Sequence, residues 1–124
     1  MAANKIIRLG PVALTNVLTT NIWNFNVTSL AGPVGFTLTQ PVVIIRFIRI
    51  VNRTGSAAWF SFWLGATGAN VAGTEVIGQG FSVPGNFAYQ TSDALRMDAT
   101  DFLVGGASVN SALTLEASAE IGFA

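Results

Sequence analysis

The sequence predicts an all-β protein, and three observations carry that prediction. Apolar runs are short and alternate with turn residues, among which glycine occurs 13 times. The last run, SALTLEASAEIGF, alternates apolar and polar residues from Leu113 to Ile121, as a strand with one face in water requires. Long runs of the helix-forming residues Glu, Lys, Leu and Ala are missing. We therefore predict a single β-sandwich domain over residues 1–124, jelly-roll-like in its strand order.

The apolar runs and the turns between them predict a series of short strands. They are expected near residues 5–9, 12–18, 22–27, 34–39, 42–52, 57–64, 74–77, 80–83, 87–90, 94–97, 102–104 and 112–121. Residues 1–10, MAANKIIRLG, admit two interpretations. They form either an arm that lies across a partner surface through Ile6 and Ile7, or an ordinary edge strand of their own sheet.

Two segments break the expected alternation. VVIIRFIRIVNR, which begins at Val42, and AAWFSFWLG, which begins at Ala57, have apolar residues at both parities. Because the turn-rich NRTGS joins them, we expect neighbouring antiparallel strands in the middle of a sheet. One interpretation is that their second face is an assembly face containing Trp59, Trp63 and Arg46 or Arg49. The other is that a loop or a further layer of the same fold covers this face.

The composition leaves few charges for the surface. Apolar residues make up 51% of the chain and charged residues 10%, with a net charge of zero. A folded monomer of this mass exposes about 6,000 Å², which leaves roughly one charge per 500 Å². Soluble surfaces usually carry more charge, so we expect other subunits to cover part of this one. Zero net charge also argues against binding to a nucleic-acid backbone or to an anionic membrane.

The absence of two residue types excludes several chemistries. Histidine and cysteine do not occur, which rules out thiolate chemistry, disulfides, ordinary zinc sites and histidine acid–base catalysis in this chain. The start, MAANKIIRLGPVALT, lacks the apolar run of a signal peptide, and no stretch reaches the roughly 18 apolar residues of a membrane helix. We expect a soluble protein that is no enzyme, with no catalytic residue, cofactor or metal.

Three further motifs have ordinary structural interpretations. LGATGANVAG, residues 64–73, lacks the lysine and the helix of a phosphate-binding loop, and we expect a hairpin loop there. Asp93, Asp98 and Asp101 could offer carboxylates to calcium or a glycosidase pair, but without EF-hand spacing or a cleft we expect turns. Asn52 begins an Asn-x-Thr sequon, and we expect it to serve the turn.

The blocks IRIVNRT…FSFWLGATG and DFLVGGAS…LTLEA, followed by the final alternating strand, resemble small virion proteins of tailed bacteriophages. Within that group the sequence is similar to capsid decoration, or cement, proteins. The resemblance implies a jelly-roll-like β fold and a position on the outer surface of the major capsid shell. It also implies dimers or trimers that stabilise the shell after the genome is packaged.

Together the residues and the resemblance predict a capsid decoration protein that is made in the host cytoplasm. Its expected partners are copies of itself, as a dimer or trimer, and the major capsid protein. Two alternatives remain open: a carbohydrate-binding β-sandwich of a head or tail fibre, and a tail or connector component. The candidate interface residues are Trp59, Trp63, Arg46, Arg49, Ile6, Ile7 and Trp23. We expect the two central arginines to pair with carboxylates or carbonyls, because a buried unpaired charge is costly.

Overall fold

The structure, a computed structural model, describes residues 5–24, 41–98 and 101–123. Within these ranges the chain forms nine strands: β1 (Lys5–Ala13), β2 (Asn21–Asn24), β3 (Pro41–Asn52), β4 (Ala58–Gly65), β5 (Glu75–Val83), β6 (Ala88–Thr91), β7 (Leu95–Asp98), β8 (Phe102–Ala107) and β9 (Leu113–Phe123). The described residues contain no helix that could cross a membrane.

The strands form two antiparallel sheets. Sheet A has the order β1-β9-β3, and β6 and β7 then pair end to end along the free side of β3. Sheet B has the order β2-β8-β4-β5. Four pairings enclose one another along the sequence: β4 with β5 is the innermost, followed by β3 with β6 and β7, then β2 with β8, and finally β1 with β9. With β6 and β7 counted as one broken strand, this is the order of an eight-stranded jelly roll. The predicted β-sandwich is confirmed.

The core lies between the inner faces of the two sheets. Leu113, Leu115 and Ile121 of β9 are fully buried, and the polar residues between them are only partly covered. The alternation predicted for this strand is therefore confirmed. Aromatic rings link sheet B to β6: the ring centroids of Phe81 and Tyr89 lie 4.4 Å apart, a spacing at which aromatic pairs attract.

A β-bulge explains part of the double-sided apolar pattern of β3, although the outward-facing Ile44, Phe47 and Val51 are apolar as well and are partly buried. The register against β9 shifts between Ile45 and Phe47, where β3 contains one extra residue. Before the bulge the odd-numbered Val43 and Ile45 face the core, and after it the even-numbered Ile48 and Ile50 do. The expectation that each parity keeps one face along the whole strand is therefore wrong. A single extra residue exchanges the faces, because side chains alternate with a period of two.

The strands β3 and β4 are not neighbours in one sheet, contrary to the expectation from sequence. In sheet A, β3 lies between β9 and the β6/β7 line, whereas in sheet B β4 lies between β8 and β5. Their connection, residues 53–57, crosses from one sheet to the other. A short turn-rich connector suits a hairpin and a crossing between sheets equally well, so its composition does not distinguish the two.

The first strand is an edge strand of sheet A, paired with β9. This is the second of the two interpretations of residues 1–10, and it holds for the part of that range that the structure describes. The register of β1 shifts between Leu9 and Val12 and the strand ends at Ala13. The strand expected over residues 12–18 therefore does not form.

An irregularity in β5 joins two expected strands into one. The segments expected over 74–77 and 80–83 fall in the single strand β5, which begins at Glu75 and whose register against β4 shifts between Phe60 and Phe62. The Oγ of Ser61 accepts a hydrogen bond from the N–H of Gly80 at 2.7 Å, which holds this irregularity. The strand expected over residues 34–39 lies outside the described residues.

Candidate functional site

Four connections meet at one end of the sandwich, because the strands run back and forth between its two ends. They are residues 14–20 between β1 and β2, 53–57 between β3 and β4, 84–87 between β5 and β6, and 108–112 between β8 and β9. These four segments are termed the loop end. The connection from β4 to β5, residues 66–74, lies at the opposite end.

Backbone hydrogen bonds hold the four connections of the loop end against one another. Each bond joins a residue of one connection to a residue of another. They run from Ser111 N to Leu14 O at 2.8 Å, from Arg53 N to Ala112 O at 3.1 Å and from Asn86 N to Thr54 O at 2.8 Å. The loop end is thus one connected surface, although its segments are far apart in the sequence.

Asn52, at the end of β3, fastens the loop end to the sheets. Its side chain is buried, and Nδ2 donates to the carbonyl oxygens of Ser56 at 2.9 Å and Val83 at 3.0 Å. Its Oδ1 accepts from the backbone N–H and the hydroxyl of Thr54. The amide therefore satisfies backbone groups that would otherwise be buried without partners. The expectation that Asn52 serves the turn is confirmed.

Exposed apolar side chains are concentrated at the loop end. Six large apolar side chains of the described residues are strongly exposed, and four of them lie in or directly beside this end: Val17 at 55%, Trp59 at 38%, Phe87 at 65% and Val109 at 52%. Trp59 lies at the start of β4, where its backbone N–H donates to the Oγ of Ser108 at 3.0 Å. The other two, Ile6 and Val71, lie on β1 and in the connection at the opposite end.

The loop end also carries almost no charge. Arg53 is the only charged residue in its four connections, whereas the outer face of sheet A carries both arginine and glutamate side chains. The solvent-accessible surface of the chain is 6428 Å², close to the value of about 6,000 Å² from which the surface charge density was estimated. Several exposed apolar side chains at one end of a molecule, among polar and uncharged residues, are typical of a surface that binds another protein.

The candidate interface residues from the sequence do not share one face. Trp59 is exposed at the loop end, and Ile6 is exposed on the outer face of β1. Ile7 is half-buried against the core, and so is Trp23 in β2. Trp63 is 4% exposed, so it contributes to no exposed surface of this chain, contrary to the expectation.

A loop lies over the outer face of sheet B at Trp63. Asn21, Val104 and Trp63 form one row across β2, β8 and β4, so their side chains point to the same side. Asn21 Nδ2 donates to the Oγ1 of Thr67 at 2.6 Å, and Asn21 Oδ1 accepts from Gly68 N at 2.7 Å. These bonds hold the connection from β4 to β5 across the row. Of the two interpretations of the second apolar face, a covering loop is the one that applies here.

The two central arginines form ion pairs on the outer face of sheet A. Arg46 Nη2 lies 2.8 Å from Glu120 Oε2, and Arg49 Nη2 is bonded to Glu116 Oε1. Both pairs join β3 to β9. The arginine side chains are about half exposed, so each pair contributes about 0–1 kcal/mol to stability. The expectation that these arginines pair with carboxylates is confirmed, and both partners belong to the same chain.

Sequence reasoning missed three of the apolar residues at the loop end. Val17 and Phe87 fall within the strands expected over residues 12–18 and 87–90, whereas the structure places them in connections. Val109 is a single apolar residue in the turn SVNSA, where no period-2 or helical pattern marks it. Only the strand order shows that the three residues share one end.

The aspartates of the sequence analysis serve turns where the structure shows their contacts. Asp98 N donates to Asp101 Oδ2 at 2.9 Å, and Arg96 Nη2 lies 3.2 Å from Asp98 Oδ1. Among the residues that the structure describes, no three potential metal-binding side chains come together. The glycine-rich segment 64–73 spans the hairpin turn between β4 and β5, as expected.

No protein-family model matches the sequence, and no curated protein is significantly similar to it. The function is therefore argued from the surface of the molecule.

Proposed function

We propose that this chain is a capsid decoration protein of a tailed bacteriophage, and that it binds the outer surface of the major capsid shell through the loop end. The observation that carries the proposal is the exposure of Val17, Trp59, Phe87 and Val109 in or beside four connections that contain one charged residue. The sequence resemblance supplies the phage context, and the jelly-roll order agrees with the fold that the resemblance implies.

Binding is driven by burial of this apolar surface. Fully burying a valine or phenylalanine side chain contributes about 1.5–3 kcal/mol relative to leaving it in water. Part of this gain offsets the loss of free motion on association, so a single contact is modest. A copy that touches two adjacent shell subunits holds them together, and the symmetry of the shell repeats the contact over its whole surface. The effect of the protein is thus mechanical.

The test is cosedimentation of the purified chain with empty shells of the major capsid protein from the same genome. Phe87→Ser is expected to weaken binding at least tenfold, because it removes an apolar ring from the contact. The side chain is 65% exposed in the free chain, so the substitution leaves the fold intact. Val71→Ser is the matched control: Val71 is 58% exposed at the opposite end and is expected to bind as the unsubstituted chain does.

Two results would contradict the proposal. One is a chain that does not bind the shells, and the other is an equal loss of binding in Val71→Ser and Phe87→Ser. Mass spectrometry of whole particles separates a decoration protein, whose copies are comparable in number to the shell subunits, from a connector component, which is far scarcer. If sugars quenched the fluorescence of the exposed Trp59 and the chain did not bind shells, the carbohydrate-binding alternative would be favoured.

A further inference from the structure

A cavity of about 280 Å³ opens at one edge of the sandwich, between β5 of sheet B and the β6/β7 edge of sheet A. Its lining is mostly apolar, with Ile48, Ile77 and Leu95, and it also includes the tyrosine Tyr89 and the aspartate Asp93. The cavity is separate from the loop end and has no role in the function proposed above.

Two irregularities of the edge strands leave this cavity open. The strands β6 and β7 are separated by residues 92–94, so the edge of sheet A is interrupted there. Across the cavity, β5 departs from β4 between Val76 and Phe81. Ile77, within this bulge, has a φ of 75°, a conformation that β-branched residues rarely adopt. Strain of this kind is often found where a chain is shaped to meet a ligand or a partner.

The charge of the cavity favours a cationic occupant. Asp93 lines the cavity, is exposed and forms no ion pair within the described ranges, and no lysine or arginine lines the cavity. Glu75 pairs with Trp63, so its side chain points to the outer face of sheet B, where Oε2 accepts the N–H of Gly73 at 2.8 Å. A carboxylate beside an apolar wall suits a side chain with an apolar stem and a cationic head, as arginine has.

The opposite edge of sheet A presents such a side chain. The strand β1, KIIRLGPVA, contains two basic residues and no acidic one. Arg8 is exposed and has no ion pair among the described residues. Ile6, two residues earlier on the same face of the strand, is 78% exposed. Because β1 and the β6/β7 line are the two opposite edges of sheet A, Arg8 cannot reach the cavity of its own chain.

We propose that Arg8 of a second copy of this chain enters the cavity, with its guanidinium beside Asp93 and with Ile6 against the apolar mouth. The two contacting surfaces are different and lie on opposite edges, so each copy engages two different neighbours. A contact of this kind closes into a ring of three or more copies, or continues as an open chain, and does not form a twofold dimer. The loop end of every copy remains free.

The experiment is light scattering of the purified chain without shells, over a range of concentrations. The chain has a mass of 13.0 kDa, and the proposal expects a particle of at least about 39 kDa, three copies, at high concentration. Arg8→Glu and Asp93→Arg each place like charges together, and each is expected to weaken association at least tenfold. The double variant Arg8→Glu with Asp93→Arg restores opposite charges and is expected to recover the mass of the unsubstituted chain.

Arg53→Glu is the matched control, because it makes the same charge change at an exposed arginine of the loop end. It is expected to leave the mass unchanged, and far-ultraviolet circular dichroism of every variant is expected to show intact β-sheet. A monomer at the highest soluble concentration, a twofold dimer, or a double variant that remains dissociated would each overturn the proposal.

Shell binding is measured separately. A monomer that still binds shells through Phe87 would contradict only the proposed contact between copies. An oligomer that depends on Arg8 but does not bind shells would contradict only the proposed decoration function.

Discussion

Gly106 shows how closely the connection between β1 and β2 passes over β8. A Cβ atom at Gly106 would lie 2.5 Å from the carbonyl oxygen of Thr15 and 3.0 Å from that of Val17. Both are backbone atoms, so relief requires movement of the connection itself. Gly106→Ala is therefore expected to lower the free energy of unfolding by about 1–3 kcal/mol, as overpacking does. Urea denaturation measures the loss.

The control for this substitution is Gly55→Ala. A Cβ atom at Gly55 would meet no atom within 4 Å, so this variant is expected to be as stable as the unsubstituted chain or slightly more stable, since alanine restricts the unfolded state. Equal midpoints of unfolding for the two alanine variants would show that the close approach at Gly106 does not exist in solution.

A second prediction at the residue scale concerns Asn52. Asn52→Ala removes the hydrogen bonds of the Asn52 amide and takes from the Val83 carbonyl oxygen the donor Nδ2, while the Ser56 carbonyl oxygen keeps the Thr54 hydroxyl as a donor. The expected loss in the free energy of unfolding is about 2–4 kcal/mol, because buried unsatisfied groups are costly. Asn70→Ala, at an exposed position in the connection from β4 to β5, is expected to change stability by less than about 0.5 kcal/mol. A similar chemical-denaturation midpoint for both variants would contradict the role assigned to Asn52.

At the scale of the element, the bulge in β3 decides which side chains reach the core. Deleting Arg46 removes the extra residue, and the inward positions on both sides of the bulge then follow one regular alternation. We expect this variant to fold, with a loss of at most about 2 kcal/mol that includes its ion pair with Glu120. Inserting one alanine after Ile48 instead turns Ile50 toward water and is expected to prevent folding.

Near-ultraviolet circular dichroism and urea denaturation distinguish the two variants of β3. A deletion variant without tertiary signal, or an insertion variant with a cooperative unfolding transition, would show that the bulge is not the feature that sets the two faces of the strand.

For the whole molecule, the nested pairing of strands predicts an order of folding. The innermost pair, β4 with β5, closes over residues 66–74, whereas β1 and β9 lie at opposite ends of the described chain. Closing a longer loop costs more entropy, so the inner hairpin forms first. Val83→Ala in β5 is expected to slow folding, with a φ-value above about 0.5, and Leu115→Ala in β9 mainly to speed unfolding, with a value below about 0.3.

Stopped-flow measurement of folding and unfolding rates tests this order. Both side chains are buried, so both substitutions change stability enough for a φ-value to be determined. If Leu115→Ala gave the larger value, the outermost pair of strands would instead be part of the folding nucleus.

Much of the fold could be predicted from particular residues. The alternation from Leu113 to Ile121 identified β9 and its buried face, because only one face of that strand is covered and the covered residues must be apolar. The pairing of Arg46 and Arg49 with carboxylates or carbonyls was predicted from the cost of a buried lone charge, but the two side chains are about half exposed on the outer face of sheet A, so that cost is not what holds the pairs. The candidate site was predicted poorly: Trp59 alone of the seven selected residues lies at the loop end, and Trp63 lies beneath a loop.

The sequence by itself determined the β class of this protein, the position of most strands and the shortage of surface charge. These properties follow from the local period of side-chain direction and from composition. The tertiary structure alone decided which strands are partners, where the faces of β3 exchange, and that Val17, Phe87 and Val109 share one end. Strand partners and bulges depend on contacts between residues far apart in the chain, and each short connection is compatible with several pairings. The exposed apolar residues of the four connections are therefore brought to one end only when the sheets have formed.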